Sequence, residues 1–449
     1  MIKTRISLVS AAFIALCSLC DAQKLSMQID TAYNENYLQG MELAQEVCVE
    51  YAHFSFPWNS IEHDIGNFNF VDFDARMNEV RAHGNIKIEL NLPPLNMMFK
   101  EFPLDLQNDS INSSKVVARY KIFLDSVFNH LQGINIELLN IGNEHAPWLT
   151  SLGYDDPAIG QFMIYFAHVS PYAKNLYAAI NQGKILKTGT TFTWGALTKP
   201  ETAPILHFML DEMNTDVVSV NYYGIEDNFK VKTSEQVKKD IDTIVAKYND
   251  LGIPIYFTEC GYPSGDTCNS SETLQAEFVK AIFESWDKHS TVIDYVSFFK
   301  LTDWTWETVN WLTNVMGMNG EHAPVFREYL RTLGFRNIDG SEKAAMDTLR
   351  SELAKRSWCE SVMPSSTNNA VSEVFAANIF PNPAQNGINI TTNNNETTTI
   401  LLYNLNGTLI KSEQGGKSIY LDVSVLSQSV YLLKVIKEGY IQSYRFIKY

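Results

Sequence analysis

Two glutamates close two apolar runs in the same way. Leu138-Leu139-Asn140-Ile141-Gly142-Asn143-Glu144 ends in an amide and a carboxylate, and Ile253-Pro254-Ile255-Tyr256-Phe257-Thr258-Glu259 ends in a hydroxyl and a carboxylate. A carboxylate at the end of a buried strand is costly unless something pairs with it or uses it. Cleavage of a glycosidic bond uses two of them. One protonates the leaving oxygen and the other attacks the anomeric carbon from the opposite side, with the carboxyls about 5–5.5 Å apart when configuration is retained. The reading is therefore Glu144 as acid/base and Glu259 as nucleophile. The competing reading makes each a structural carboxylate that caps the following helix.

These residues need a frame that brings them together. Strand-like runs cover 25–30, 47–55, 86–92, 134–144, 185–193, 216–223, 253–259 and 292–300. Helical patterns over 34–45, 72–83, 114–131, 159–181, 204–213, 234–249, 271–289 and 324–333 follow them in turn. Eight strand–helix units imply a parallel sheet closed into a (β/α)8 TIM barrel, an α/β fold whose chemistry sits at the strand C-termini. The fourth and seventh strands, which carry the glutamates, then face each other across the mouth. A doubly wound open sheet would show a Gly-rich first turn for a dinucleotide, and none is present. No cofactor is expected. No metal is expected either, since the strand ends show no His-x-His or matching carboxylate set.

Other residues fall at the same rim. Asn221 and Tyr223 share one face of the sixth strand by the period of two, although the register that decides between Tyr222 and Tyr223 as the inward residue is open. Trp58, Trp148, Trp194, Trp304 and Trp306 all follow predicted strands, which suits stacking on apolar sugar faces. Trp304 or Trp306 is the expected floor of the subsite at the cleaved bond. His53 and His145 lie on this face as well, with satisfied structural histidines as the default.

The segments Asn143-Glu144 and Thr258-Glu259 resemble the acid/base and nucleophile motifs of clan A glycoside hydrolases, the retaining TIM-barrel clan that includes cellulases, mannanases, xylanases and galactanases. Trp58-Asn-Ser-Ile-Glu62, with Gly66, Phe68, Phe70 and Asp72, resembles the clan's segment after strand two. Met316-Gly-Met-Asn-Gly320 with Ala323-Pro324 resembles the segment before its last helix. The likeness spans residues 25–333. It implies that Asn143 hydrogen-bonds the sugar 2-hydroxyl and that Tyr223 hydrogen-bonds the nucleophile. Asn221 stands where several families have His. Phe56-Pro-Trp58 and Asn91-Leu-Pro-Pro94 occupy places where many relatives carry Arg and His, so the substrate is not fixed. On this reading Glu259 should titrate low and Glu144 high.

The remainder sets the context. The chain has 449 residues and a net charge of −16 with scattered Lys and Arg, which argues against a nucleic-acid partner. Residues 1–22 read as an export signal: Lys3 and Arg5, an apolar run over 6–19, then Cys20-Asp21-Ala22. No later run is apolar for about 18 residues, so no transmembrane segment is expected. Export permits disulfides, and Cys260 and Cys268 flank a turn that a local bridge could close. The catalytic barrel is assigned to 23–335, a helix and a Ser/Asn-rich linker to 336–374, and a small β-sandwich to 375–449. In that tail, Ile379-Phe-Pro-Asn-Pro383, Leu402-Tyr-Asn-Leu-Asn-Gly407 and Tyr431-Leu-Leu-Lys-Val435 resemble a type IX secretion sorting domain. The resemblance implies secretion machinery as a partner and a secreted or surface-attached product. A carbohydrate-binding sandwich is the alternative for the tail, but it lacks an aromatic stripe. For the whole chain, the reading is a hydrolase of β-linked polysaccharide or oligosaccharide. The rival is a non-catalytic glycan-binding surface protein on the same scaffold.

Overall fold

The computed structural model describes residues 23–151, 156–181, 183–358, 377–381, 384–392, 397–403, 409–437 and 440–448. The expected export signal, the linker over 361–372 and the hairpin turn Asn406-Gly407 lie outside them. The chain divides into two compact units, Met1–Val362 and Met363–Tyr449.

The first unit is the expected barrel. Its strands are β1 Lys24–Met27, β2 Tyr51–Ser55, β3 Lys87–Asn91, β4 Ile136–Asn143, β5 Lys187–Thr193, β6 Val218–Tyr223, β7 Ile255–Gly261 and β8 Ile293–Phe298. Each pairs in parallel with the next, and β8 returns to β1, which closes the ring. The longer helices are α1 Tyr37–Glu46, α2 Val71–His83, α3 Ser114–Asn129, α4 Asp156–Ile180, α5 Ala203–Glu212, α6 Ser234–Tyr248, α7 Glu272–Lys288, α8 Trp306–Val315, α9 Ala323–Arg331 and α10 Ala344–Lys355.

Local chemistry explains the helix ends. Asn36 with Gln39 and Thr233 with Gln236 form capping boxes, in which side chain and backbone satisfy each other's orphan donors. Gly84, at φ +81°, ends α2 in the left-handed region that L side chains avoid. Val116, Tyr120, Phe123, Leu124 and Val127 give α3 its buried stripe. Each such side chain contributes about 1.5–3 kcal/mol by leaving water.

The barrel interior is layered. At the N-terminal end Tyr51, Leu138, Val217, Tyr256 and Tyr295 form a separate apolar cluster. Tyr256 and Tyr295 stack there at 5.0 Å, with Tyr51 edge-on to Tyr295 at 5.6 Å. Above it lies a polar layer containing His53, Glu89, Asn140 and Ser219. Gly189 on β5 makes room for it. A Cβ at Gly189 would sit 3.0 Å from Asn140 Oδ1, 3.1 Å from Ser219 Oγ and 3.2 Å from Val217.

Three features differ from the sequence reading. α8 begins at Trp306, where the sequence pattern points to a loop; Thr305 caps it by accepting from Thr308 N at 3.1 Å. α10 packs with the barrel rather than standing as a separate linker element. Ala344 N donates to Glu272 and Arg356 pairs with Asp287, while the buried Lys343 ammonium lies 2.8 Å from Asp303. Cys260 and Cys268 are both buried free thiols, so the local bridge does not form, whereas Cys48 is disulfide-bonded.

The second unit has two antiparallel sheets. Strands β9 Ala377–Phe380, β10 Gly387–Thr392 and β13 Ser418–Asp422 form one, and β11 Thr398–Tyr403, β12 Leu409–Gly415, β14 Ser429–Lys437 and β15 Tyr440–Lys448 form the other. Alternate residues turn inward, Ile388 and Ile390 from β10, Ile400 and Leu402 from β11, and Leu433 and Val435 from β14, to make a small sandwich-like core.

The substitution Gly189→Ala should lower the unfolding free energy by about 1–3 kcal/mol, because its methyl must displace the Asn140–Ser219 pair. Denaturant titration of the purified protein checks this, and an unchanged midpoint would show that the layer yields freely.

Candidate active site

Two irregularities in the sheet aim the catalytic candidates. Between β4 and β5 the register slips, with Asn140 opposite Gly189 but Asn143 opposite Thr191. Between β6 and β7 it slips again, with Val220 opposite Phe257 and Asn221 opposite Glu259. Such a bulge breaks the alternation of side chains and re-aims a residue. Thr258 and Glu259, neighbours in sequence, therefore both reach groups on the inner face. Glu144 is reached by one further turn of the backbone at φ +47°, anchored by its N–H to Thr191 O at 2.8 Å.

The two carboxylates meet around Asn221. Its Nδ2 donates to Glu144 Oε1 at 2.9 Å. The Thr258 hydroxyl donates to Asn221 Oδ1 at 2.9 Å, which fixes the amide with its nitrogen toward the glutamates. The same side chain lies near enough to Glu259 to favour the charged form of that carboxylate. Tyr223 is the inward tyrosine, and its hydroxyl donates to Glu259 Oε2 at 2.5 Å. Tyr222 points away and donates to Asp240 on α6 at 3.0 Å. Asn143 Nδ2 donates to Asn96 Oδ1 at 3.1 Å, while its own Oδ1 is buried without a partner.

Electrostatics separates the two acids. Burial first, and the charge on Glu259 second, push Glu144 up to about 7, with the Asn221 bond pulling the other way. Glu259 is also raised, by burial, against the opposing pulls of His53, Tyr223 and Asn221. The expectation that Glu259 titrates low is therefore corrected: the Tyr223 bond does not outweigh desolvation. Burial lowers His53, but the carboxylates of Glu89, Glu259 and Asp30 together outweigh burial and hold the ring above the usual histidine range.

Beneath the mouth, Glu89 is wholly buried and fully engaged. His53 Nδ1 lies 3.1 Å from Oε2, Asn140 Nδ2 donates to Oε1 at 3.0 Å, and Tyr295 donates to Oε2 at 3.2 Å. Ser219 donates to Asn140 Oδ1 at 3.0 Å. His145 is unlike His53. It is buried between Phe162 and Phe192 and pushed down to about 3, so it is a neutral packing residue.

The tryptophans do not form one platform. Trp58 has no exposed surface; it packs on Phe102, Tyr120 and Phe123 and donates to Glu62 at 2.9 Å, so the expectation that it binds substrate is corrected. Glu62 also accepts from Arg119, which makes the Trp58–Glu62 segment a structural knot. Trp148 is likewise buried in the barrel core. Trp194 is partly buried and lines a cleft of about 900 Å³ that has Asn221 and Tyr223 among its walls. Trp304 is partly buried beside Phe299, and Trp306 is exposed at the start of α8 with Arg331 over its ring.

Sequence reasoning missed Glu89, Tyr329 and Lys300. Glu89 alternates with Lys87 and Asn91 in an otherwise apolar strand, and that inward polar period was a usable signal. Tyr329 comes from α9 and sets its ring edge-on to Tyr223 at 5.5 Å; nothing in the sequence links the two. Lys300 is a buried cation beyond the end of β8. Among the described residues no group of three or more His, Cys, Asp or Glu is placed to hold a metal, and no helix is long and apolar enough to cross a membrane.

Residues 378–449 match the family described as the secretion system C-terminal sorting domain, so the second unit is a sorting domain that marks the chain for export. No curated protein is similar to the chain in sequence. Solved structures share the fold of the first unit. A GH5_18 protein from Bifidobacterium longum subsp. longum, in complex with Manb1-4GlcNAc, is 14% identical over 74% of this chain and 78% of its own, with a TM-score of 0.55. A GH5_18 protein from Streptomyces cattleya, also in complex with Manb1-4GlcNAc, is 12% identical over 78% of this chain and 82% of its own, with a TM-score of 0.54. One from Bifidobacterium longum subsp. infantis is 11% identical over 74% and 79%, again with a TM-score of 0.54.

The raised carboxyl of Glu144 has a consequence for stability. An unfolded glutamate titrates near 4.3, so between that value and about 7 the folded chain holds the extra proton. Stability then falls as pH rises through this window. Glu144→Gln removes the penalty and keeps an acceptor for Asn221. It should leave stability unchanged near pH 4 and raise it at pH 8 by about 1–2 kcal/mol, discounted for the partial solvent exposure of the mouth. Unfolding curves of both proteins across pH check this, and equal stability at pH 8 would contradict the assigned shift.

Proposed function

We propose that this exported chain is a retaining glycoside hydrolase that cleaves β-linked polysaccharide or oligosaccharide with its own side chains alone. The observation that carries the reading is the pairing at one barrel mouth of Glu144, held by Asn221, with Glu259, held by Tyr223, the charge on Glu259 acting on Glu144. A pair of neighbouring carboxyls suits retention, in which one attacks the sugar while the other gives and takes the proton.

In the first step Glu259 attacks the anomeric carbon as Glu144 gives its proton to the departing oxygen. The carbon–oxygen bond to the leaving group breaks and a glycosyl ester with Glu259 forms. In the second step Glu144, now a carboxylate, takes a proton from water, whose oxygen displaces Glu259 and restores both groups. A carboxyl raised to about 7 carries its proton near neutral pH and can also act as a base there. Tyr223 holds Glu259 in position to attack, and Asn221 holds Glu144. Asn143, beside the acid, has a free buried acceptor that suits a sugar hydroxyl.

Incubation with β-glucan, mannan, xylan and galactan should give reducing sugar from at least one, and none from a Glu144→Gln, Glu259→Gln double variant. Binding to the panel without turnover by the native chain would favour the non-catalytic reading. Azide should rescue Glu144→Ala to a β-glycosyl azide and Glu259→Gly to the α product; the reverse pairing would exchange the two roles. Tyr223→Phe should lower kcat about tenfold to a hundredfold, the worth of a hydrogen bond to a charged group, while the fold is retained. Steady-state kinetics on the active substrate, with unfolding midpoints, reads both quantities.

A further inference from the structure

Two cavities open on opposite sides of the barrel mouth. The cleft of about 900 Å³ is walled by Ala146, Pro147 and Trp194 and reaches Asn221 and Tyr223. It adjoins the turn that carries Glu144, and a proton donor must stand beside the leaving oxygen, so this is the leaving-group side. The other cavity, of about 270 Å³, lies over the ends of β1 and β2 and is lined by Asp30, Tyr37, His53, Phe56 and Arg76 among others. Strands β2 and β6 face each other across an eight-stranded ring, which puts this cavity on the side of the sugar that is transferred to Glu259. Sites for whole ligands usually measure about 300–1,000 Å³. The leaving-group cleft is near the top of that range, and the smaller cavity falls just below it. The Arg76 guanidinium stacks on the Tyr37 ring at 4.3 Å to form part of its wall.

Asp30 is held in this cavity by groups that have no other evident task. The wholly buried Lys300 ammonium lies 2.7 Å from Asp30 Oδ2, an ion pair, and Gln28 Nε2 donates to the same oxygen at 3.3 Å. Lys300 also lies 3.8 Å above the Trp304 ring, so that indole face is occupied by a cation and is closed to a sugar. Asp30 Oδ1 has no hydrogen-bond partner among the described residues. A carboxylate with one oxygen clamped and the other free is an acceptor pre-organised for hydroxyl donors, and pre-organisation lowers the entropy lost on binding.

Resting on the glycosidase reading above, we propose that Asp30 is the specificity-determining residue of the short side of the site. It accepts hydroxyl hydrogen bonds from a glycone of one or two sugar units, so the enzyme removes a mono- or disaccharide from the non-reducing end. Lys300 and Gln28 are positioning residues for Asp30.

The test uses the full chain and reducing-end-labelled β-1,4-gluco-, manno-, xylo- and galacto-oligosaccharides of two to six units. At early times the label should appear only on products one or two units shorter than the substrate. Asp30→Asn keeps an acceptor for Lys300 and carries the mutational arm, because Asp30→Ala would strand a buried ammonium. It should raise KM about tenfold to a hundredfold, the usual effect of losing a charged acceptor, with kcat within about threefold. The unfolding midpoint falls as well, because Lys300 loses its countercharge. A purely structural role for Asp30 would lower the midpoint and leave KM unaltered. Labelled products spread along the ladder, with released glycones of three or more units, would overturn the proposal, as would an unaltered KM in Asp30→Asn. Hydrolysis by the native chain with either of those results sinks this inference alone. No hydrolysis of any substrate sinks the glycosidase reading and this inference with it.

Discussion

Two carboxylates at one barrel mouth repel each other, and the mouth is arranged around that repulsion. In a partly desolvated site neither acid ionises easily, and the charge on one makes ionisation of the other harder. Asn221 eases the conflict without adding charge. Its nitrogen bonds Glu144 because Thr258 holds its oxygen. Tyr223 donates to Glu259 alone. That asymmetry distinguishes two chemically identical side chains: Glu144 is lifted by burial and then by its neighbour's charge, while burial raises Glu259 against the pulls of His53, Tyr223 and Asn221.

One of those pulls comes from His53, whose charged form is favoured by a residue one layer deeper. Glu89 is buried, yet every oxygen it has is engaged. A buried carboxylate satisfied in this way is tolerable, whereas one left alone would neutralise. The contacts run from the tyrosine layer through Glu89 to His53, whose charge favours the charged form of Glu259. A mostly apolar barrel would give Glu259 no such support. The close approach of β5 at Gly189 permits this polar layer to span the interior.

The rim of the barrel is assembled differently from its interior. The fold needs β4 and β7 to carry the acids, but the loops decide what else reaches them. Trp58 and Trp148 turn into the core, while Trp306 stands exposed on a helix of its own. Lys300 takes one face of Trp304, and Tyr329 enters from α9 to pack on Tyr223. The second unit contributes a separate sandwich-like core and a sorting sequence, and its alternation of buried and exposed residues is as regular as that of any half-buried sheet.

Periodicity and end signals were enough to determine the barrel, the strand ends that bear Glu144 and Glu259, and the change to short alternating strands near residue 375. Those features depend on local spacing, which is written in the chain. The inward aim of Glu259 is another matter. A strict period of two would set Thr258 and Glu259 on opposite faces, and only the bulge against β6 brings both inward. The choice of Tyr223 over Tyr222 was open for the same reason. Tertiary packing also decided the fate of the tryptophans, because a residue after a strand can turn to either side of the wall with equal local propriety. The titration of Glu259 was misjudged from sequence because one visible hydrogen bond was weighed without the burial that opposes it. Burial is a property of everything that surrounds a side chain, and no single stretch of sequence contains it.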